Sequence, residues 1–491
     1  MKKYLLGIDN GGTVCKAALF DLGGRQVLKK GITVPLSVNE NGMVERDPNV
    51  IIEKNYELIR EIQAGCDGEI AAIGLSGHGK GLYLLDKKGL PLGGGIGSTD
   101  TRALEYELMW EKDGTAAAAR KKTFQRVLAC QPVSLLRWMK DNDRETYEKI
   151  GSVLSVNDLV GYALTGNVFA ERTEISGTNL LNLQTVSYDG ELLSLFGVEE
   201  TADALPPVIS SFDVRGYVTG GAAEKTGLKE GTPVCGGMFD IDACALAAGT
   251  VNAGDMCMIA GTWSINEYIS RAPVEKISMN SLYCIPGMYL AEESSAASAG
   301  NLEWMRDILR EHSYRELDEM VGSVRPEKAN VYFLPFLYAS NLTPYARASL
   351  VGLESGHTEA DVVRAVYEGV VFSGYTHLER LLDNCEKKPD FIRLAGGVVN
   401  SPVWVQMFAD TAGIPVRVSE VSELGCLGAA MAAGVASGVY GSAAEAARIC
   451  AGEGRLVCPV KGNTDIYREK YGVYRDIERA LSPLWRRIRG I

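Results

Sequence analysis

Long apolar runs, paired cysteines, histidine and excess basic charge are what this sequence has little of, and each shortage excludes something. No apolar run in the 491 residues reaches bilayer-spanning length, and a strand pattern beginning at Lys3 leaves no room for a signal peptide. A cytoplasmic location with no membrane partner is therefore expected. The 11 cysteines include no CxxC pair, and Cys235, Cys244 and Cys257 lie in apolar stretches, which argues against a disulfide framework and for a reducing compartment. The 4 histidines, His78, His312, His357 and His377, are too dispersed for a zinc cluster. Fifty Lys and Arg against 62 Asp and Glu give a net charge of −12, so no nucleic acid partner is expected, although local donors and a metal can still hold an anionic metabolite.

What is there suits a compact chain with many tight turns: 46% hydrophobic, 23% charged and 55 glycines, at a length that calls for two domains. The first distinctive stretch is KYLLGIDNGGTVCKAALFD, Lys3 to Asp21. An apolar run ends on Asp9, a polar turn covers Asn10, Gly11, Gly12 and Thr13, and a second apolar run carries Lys16. Glycines in such a turn let consecutive backbone N–H groups face a phosphate chain. A carboxylate at its mouth makes sense when a divalent cation sits between the two anions. The stretch reads as a nucleotide-phosphate cradle with Asp9 as the magnesium residue, while a plain hairpin turn is the alternative. It has neither GxxxxGK[ST] nor GxGxxG spacing.

Further along, the pattern gives strands at Gln26 to Ile32, Ile70 to Leu75 and Pro233 to Gly237, and helices at Asp47 to Ile62, Asp143 to Ile150, Asn157 to Leu164 and Ile241 to Ala248. Residues 111–230 look like an insertion, with Glu174 to Asn182 suited to a substrate-facing loop. From Asp255 the opening grammar returns: strand, Gly261-Thr262-Trp263-Ser264 turn, strand. This faint repeat places a boundary near Gly249–Gly254 and implies duplicated halves, 1–248 and 249–491, facing a cleft. A long amphipathic helix is expected over Asp361 to Leu382, with Val363, Val366, Val370, Tyr375 and Leu378 inward, and Leu427 to Ala436 must pack very close to something.

Asp240 follows a strand and precedes a small-residue helix, a place from which a carboxylate can act as general base; an N-cap is the alternative. Gly261 and Thr262 form a second anion-cradle candidate, and Gly396, Gly397 and Asn400 offer the close backbone approach a flat purine requires. His78, Gly79, Lys80, Asp100 and Arg102 supply donors and acceptors for sugar hydroxyls, with Asp100 and Arg102 able to orient each other.

Taken in order, these motifs resemble the FGGY family of carbohydrate kinases across essentially the whole chain. Asp9 to Thr13 with Lys16 is similar to its first phosphate motif, Gly261-Thr262 to its second, and GGVVNSPVWVQMFADTAGIPV, Gly396 to Val416 with Gln406, to its adenosine-side signature. The resemblance implies an α/β, actin-like ATPase (ribonuclease H-like) fold with two duplicated domains around a cleft, and ATP and Mg²⁺ as cofactors. It also implies Asp240 as the base that deprotonates a sugar hydroxyl and Asp9 as a magnesium holder. Within the family the likeness runs to the branch acting on L-xylulose, through GKGLYLLDKKGLPLG from Gly79, QPVSLLRWMK from Gln131 and GTWSINEYI from Gly261. The expected reaction is L-xylulose to L-xylulose 5-phosphate. D-xylulose, L-ribulose, 3-keto-L-gulonate or a deoxy sugar are the alternatives, because the His78-Gly79-Lys80-Gly81 loop and Trp263 depart from the D-xylulose pattern near the substrate. A sugar or nucleotide sensor without catalysis is the other class, disfavoured because both Asp9 and Asp240 are kept. Sugar and ATP are the expected partners, and a homodimer is the one protein association left open.

Overall fold

Two strand-forming runs on either side of a glycine turn make the opening stretch a hairpin, buried along most of its length. In the computed structural model, which describes residues 2–39, 42–261, 263–309, 312–338, 340–343, 345–419 and 421–489, β1 (Lys3–Asn10) pairs antiparallel with β2 (Val14–Asp21), from Tyr4 opposite Asp21 to Asn10 opposite Cys15. β3 (Gln26–Thr33) continues the meander. Helix Pro48–Ala64 starts where the Asp47 side chain accepts the Asn49 N–H at 2.8 Å, and it buries Ile51, Leu58, Ile59 and Ile62. It leads to β4 (Glu69–Gly77), which lies parallel to β1 with Asp9 opposite Ser76. β5 (Val214–Tyr217) and β6 (Pro233–Cys235) complete the order β5-β6-β4-β1-β2-β3, and β7 (Met238–Phe239) joins the end of β4 with Met238 opposite Ser76.

A second sheet repeats this plan. β8 (Met256–Ala260) and β9 (Ser264–Ser270) form the hairpin, and with β10 (Tyr289–Ser295), β11 (Ile392–Ala395), β12 (Val416–Val418) and β13 (Arg455–Val457) six of the seven strands run in the order β10-β9-β8-β11-β12-β13. Both sheets have an antiparallel hairpin, then two parallel neighbours, then an antiparallel last strand. The duplication seen faintly in residues is thus plain in topology. Helix Glu359–Leu382, opened by a Thr358–Asp361 capping box, buries Val363, Val366, Val370 and Leu378 as expected, while Tyr375 is only half-buried.

Packing divides the chain differently from the continuous halves 1–248 and 249–491. One compact unit comprises Met1–Val251, Ser270–Leu290 and Glu423–Gly452; the other comprises Asn252–Ile269, Ala291–Ser422 and Glu453–Ile491. The cause is helix Leu424–Ala436, whose small residues put its backbone directly on the first sheet. A β-carbon on Gly7 would lie 1.8 Å from the Cys426 carbonyl oxygen, one on Gly74 1.8 Å from that of Ala429, and one on Gly428 2.0 Å from that of Ala243. Sequence position cannot reveal such a return, because the matching glycines stand on distant strands.

Two further points correct the sequence reading. The helix expected over Asp143 to Ile150 is a single turn, Arg144–Tyr147, and Ile150 instead opens the strand Ile150–Leu154 against Tyr83–Asp86. Part of the insertion-like segment joins residues before it in a second core, in which Trp110 packs edge-on to Phe196 at 4.8 Å among Leu135, Leu136 and Leu192. No helix among the described residues is long and apolar enough to cross a membrane.

Candidate active site

Three loops that carry chemistry leave the same end of three neighbouring parallel strands in the first unit. β1 ends at Asn10, β4 at Gly77 and β7 at Phe239, and the register aligns Asp9, Ser76 and Met238 in one row. The turn 10–13, the loop 78–81 and Asp240 therefore emerge together, at the strand ends where open α/β sheets bind ligands.

Asn10 does not face a ligand. Its side chain is fully buried, accepting from Asn55 Nδ2 at 2.8 Å and Cys15 Sγ at 3.2 Å, so it braces the turn from beneath and corrects its assignment as a nucleotide contact. Gly12 and Thr13 are exposed, and a β-carbon on Gly12 would meet nothing within 4 Å. No protein atom demands glycine there, which suits a bulky ligand lying against the turn. Lys16, opposite Asp9 on β2, extends to Glu423 at 3.1 Å.

Asp9 itself accepts the Ser76 hydroxyl at 2.9 Å, and Gly425 leaves the space its carboxylate occupies, since a β-carbon there would stand 2.6 Å from Oδ2. Burial raises its pKa, the Ser76 bond and Lys16 opposing. A bound cation would favour the ionised form. Magnesium asks for one or two carboxylates and keeps water and phosphate as its other ligands, so the Asp9 carboxylate beside the turn 10–13 fits it. Among the described residues no group of three or more acidic, His or Cys side chains forms a closed metal cage.

His78 is positioned by residues that the sequence did not single out. Arg46, itself buried, reaches His78 Nε2 at 2.5 Å, the Tyr83 hydroxyl at 2.8 Å and the Gly11 carbonyl at 3.0 Å, tying the loop to the turn 10–13. Burial first, and the Arg46 charge second, lower the His78 pKa to about 3. The ring is neutral at physiological pH, accepting at Nε2 and donating from Nδ1 to the Gly79 carbonyl at 3.3 Å. Gly79 is required by packing, because a β-carbon would lie 2.3 Å from the Phe239 ring. Lys80 has a left-handed backbone, φ 64°, and its Nζ lies 5.9 Å from the centre of that ring. Strain at a non-glycine residue concentrates at functional sites. A narrow recess of about 10 Å³, room for about one water, lies beside it, lined among others by Ser155, Asp158, Glu174 and Thr178.

Asp100 and Arg102 do orient each other, with bonds of 2.9–3.0 Å from Arg102 Nε and Nη2. The Asp100 carboxylate also takes the backbone N–H groups of Val44 at 2.6 Å and Arg102 at 2.9 Å. Its acceptor positions are thus filled within the protein. The reading of Asp100 as a sugar acceptor is corrected: it is a bracket that fixes Arg102, whose guanidinium also meets Glu45 at 2.7 Å and lies over Trp138.

Asp240 is the first residue of helix Asp240–Ala247, not its N-cap, which is Phe239. A carboxylate there is favoured by the helix dipole. It is partly exposed, and its strand is pinned from two sides. The Phe239 N–H donates to Thr173 Oγ1 at 2.8 Å, and Asn157 Nδ2 donates both to the Met238 carbonyl and to Glu174 Oε1, each at 3.0 Å. Thr173 in turn donates to Glu171 at 2.6 Å. Burial first, and the nearby Asp240 charge second, push the Glu174 pKa well above its usual range. None of these supports carries a sequence motif; only the setting of Glu174 in a polar, short-sided segment pointed to them.

Burial raises the Glu171 pKa from 4.5 to about 7. Between those values the unfolded chain has lost a proton that the folded chain keeps, so stability is full below 4.5, falls as pH rises and levels off above about 7. Chemical denaturation across this range should show that fall, and Glu171→Gln should remove part of it. An unchanged slope in the variant would refute the assignment.

The second unit supplies a different kind of pocket. Gly261 has open space where a side chain would be, but its N–H is engaged by the Trp263 carbonyl at 2.9 Å and so is not a free anion donor. Thr262 lies outside the described residues. Gly396, φ 93°, is required by Ala260, whose carbonyl oxygen would lie 2.5 Å from a β-carbon, and this explains it without a purine. Gly397 differs, for nothing lies within 4 Å of its β-carbon position. Together with Asn400, Ser401, Trp404, Tyr367 and Asp318 it lines a pocket of about 460 Å³. Gln406 does not join them; its amide donates to Asp410 at 2.8 Å and the Cys458 carbonyl at 3.0 Å, a correction to its expected role.

Residues 4–247 match the N-terminal domain, and residues 256–437 the C-terminal domain, of the FGGY family of carbohydrate kinases. The chain belongs to that family and is an ATP-dependent carbohydrate kinase. Over 495 aligned residues it is 37% identical to the L-xylulose/3-keto-L-gulonate kinase of Escherichia coli (strain K12), covering 100% of this chain and 99% of the relative. The ligand-bound xylulose kinase from Lactobacillus acidophilus superposes with a TM-score of 0.92 at 25% identity, over 99% of this chain and 100% of that one. A gluconate kinase from the same organism gives the same TM-score and coverage at 24% identity, so the fold is shared by enzymes named for different sugars.

Proposed function

We propose that this kinase transfers the γ-phosphoryl group of ATP to the terminal hydroxyl of a ketopentose, with L-xylulose as substrate and L-xylulose 5-phosphate as product. The observation that carries the reading is the convergence of the phosphate turn, the His78–Gly81 loop and Asp240 at one end of β1, β4 and β7. In this account Asp240 orients the sugar hydroxyl and accepts its proton, and the Gly11–Thr13 turn lies along the transferred phosphate. Asp9 is the residue that would hold Mg²⁺, which when bound neutralises charge on the phosphate oxygens. Lys80 and Arg102, the latter fixed by Asp100, address the sugar, and the Gly397–Asn400 pocket takes the nucleoside. The actin-like descent of the fold belongs to the same reading, supported by the repeated strand order.

A coupled ADP-release screen over ketopentoses, hexuloses and sugar acids tests the substrate. L-Xylulose is expected to give the highest kcat/KM; a tenfold preference for another sugar would displace it. The second reading, a keto sugar acid such as 3-keto-L-gulonate, is favoured by the Lys80 ammonium beside the narrow recess and by the name of the E. coli relative. Lys80→Ala should raise the sugar KM about 10-fold with a smaller change in kcat, the effect expected of one lost charged hydrogen bond. The loss should be larger for a sugar acid than for a neutral ketose if the second reading holds. An unchanged KM for every sugar would remove Lys80 from the site.

A further inference from the structure

We propose that Asp318 selects the nucleobase, its Oδ2 accepting a hydrogen bond from the exocyclic 6-amino group of adenine; this rests on reading the 460 Å³ pocket of the second unit as the nucleoside site. Asp318 stands on helix Tyr314–Ser323 and lines that pocket. Two donors converge on one of its oxygens: Ser401 Oγ at 2.7 Å and the Tyr367 hydroxyl at 2.9 Å both reach Oδ1. Ser401 also caps helix Pro402–Ala412 through the Trp404 N–H at 3.1 Å, and the Tyr367 and Trp404 rings stack at 4.4 Å. The carboxylate is thereby fixed by rigid neighbours, not by solvent. Burial and the Asp318 charge raise the Tyr367 pKa, so the phenol remains a donor and Oδ1 stays occupied.

With both lone pairs of Oδ1 taken, Oδ2 is left as the acceptor, and among the described residues nothing donates to it. The other acid lining the pocket, Glu303, is engaged at both oxygens, by the Tyr314 hydroxyl and by Arg306. The pocket therefore offers a single fixed carboxylate oxygen beside an aromatic pair. An amino group is the matching feature of a purine. Guanine would present two adjacent donors and call for two parallel acceptor oxygens, one of which is already filled.

The test is calorimetric binding of ATP, purine riboside 5′-triphosphate, which lacks the 6-amino group, and 2′-deoxy-ATP to the intact protein and to Asp318→Asn. The wild type should bind ATP about 10-fold or more tightly than the deamino compound, as expected for loss of a hydrogen bond to a charged group. In Asp318→Asn, which keeps the acceptor for Ser401 and Tyr367 but turns a donor toward the amino group, the two should agree within about twofold. Equal binding of ATP and the deamino compound by the wild type would overturn the proposal without recourse to any variant. So would a variant that loses discrimination against 2′-deoxy-ATP instead, since Asp318 would then hold the ribose. These ratios are read from binding alone, whereas absence of ADP release with every sugar would refute the proposed reaction and leave them standing.

Discussion

Asp240→Asn is expected to lower kcat by about 10²–10⁴-fold, the range for removing a general base, while the variant folds normally and binds sugar and ATP with little change. Folding should be spared because the carboxylate is partly exposed at the first position of its helix, and the bonds that fix this segment come from the backbone of Met238 and Phe239. Single-turnover phosphate transfer with circular dichroism as a control reads both halves of the claim. Turnover within a few-fold of wild type would deny Asp240 its role and require another acceptor for the hydroxyl proton.

The second large effect is expected from a residue that touches no ligand. In Gly428→Ala the new methyl would sit 2.0 Å from the Ala243 carbonyl oxygen and 2.6 Å from its α-carbon, on the helix that begins with Asp240. Backbone cannot yield as a flexible side chain does, so the two helices must separate. Overpacking of this kind costs about 1–3 kcal/mol. A shift of about 1 Å in a catalytic group costs on the order of 10²-fold in rate. The variant should therefore lose both thermal stability and kcat, whereas Gly221→Ala, with nothing within 4 Å of the new atom, should lose neither. A Gly428→Ala protein with wild-type melting temperature and kcat would show that this contact is not tight in solution.

The sequence was legible where chemistry and local pattern coincide. The Asp9–Thr13 turn sits between two runs of strand period, so its place at a strand end followed from the residues alone. Asp240 likewise announced itself as an acid between strand and small-residue helix, although the N-cap alternative had to be settled by the backbone. What could not be read were partners distant along the chain. Asp100 looks like a free acceptor until the Val44 N–H is found on it, and Gln406 like a ligand contact until Asp410 is seen to hold it. Arg46, Asn157 and Thr173 act through other residues, and Asp318 gains its meaning only from Ser401 and Tyr367. No spacing rule encodes such meetings.

The return of helix Leu424–Ala436 to the first sheet bears on how the chain is made. When Val251 leaves the ribosome, β1 and β4 still lack the helix that lies on Gly7 and Gly74. That helix is completed roughly 200 residues later, and at about 5–20 residues per second the wait is on the order of 10–40 s. Through that interval the nascent first unit exposes an apolar sheet face awaiting its cover. Vectorial folding, one half after the other, is closed to this protein: its first unit matures only once most of its second has been synthesised.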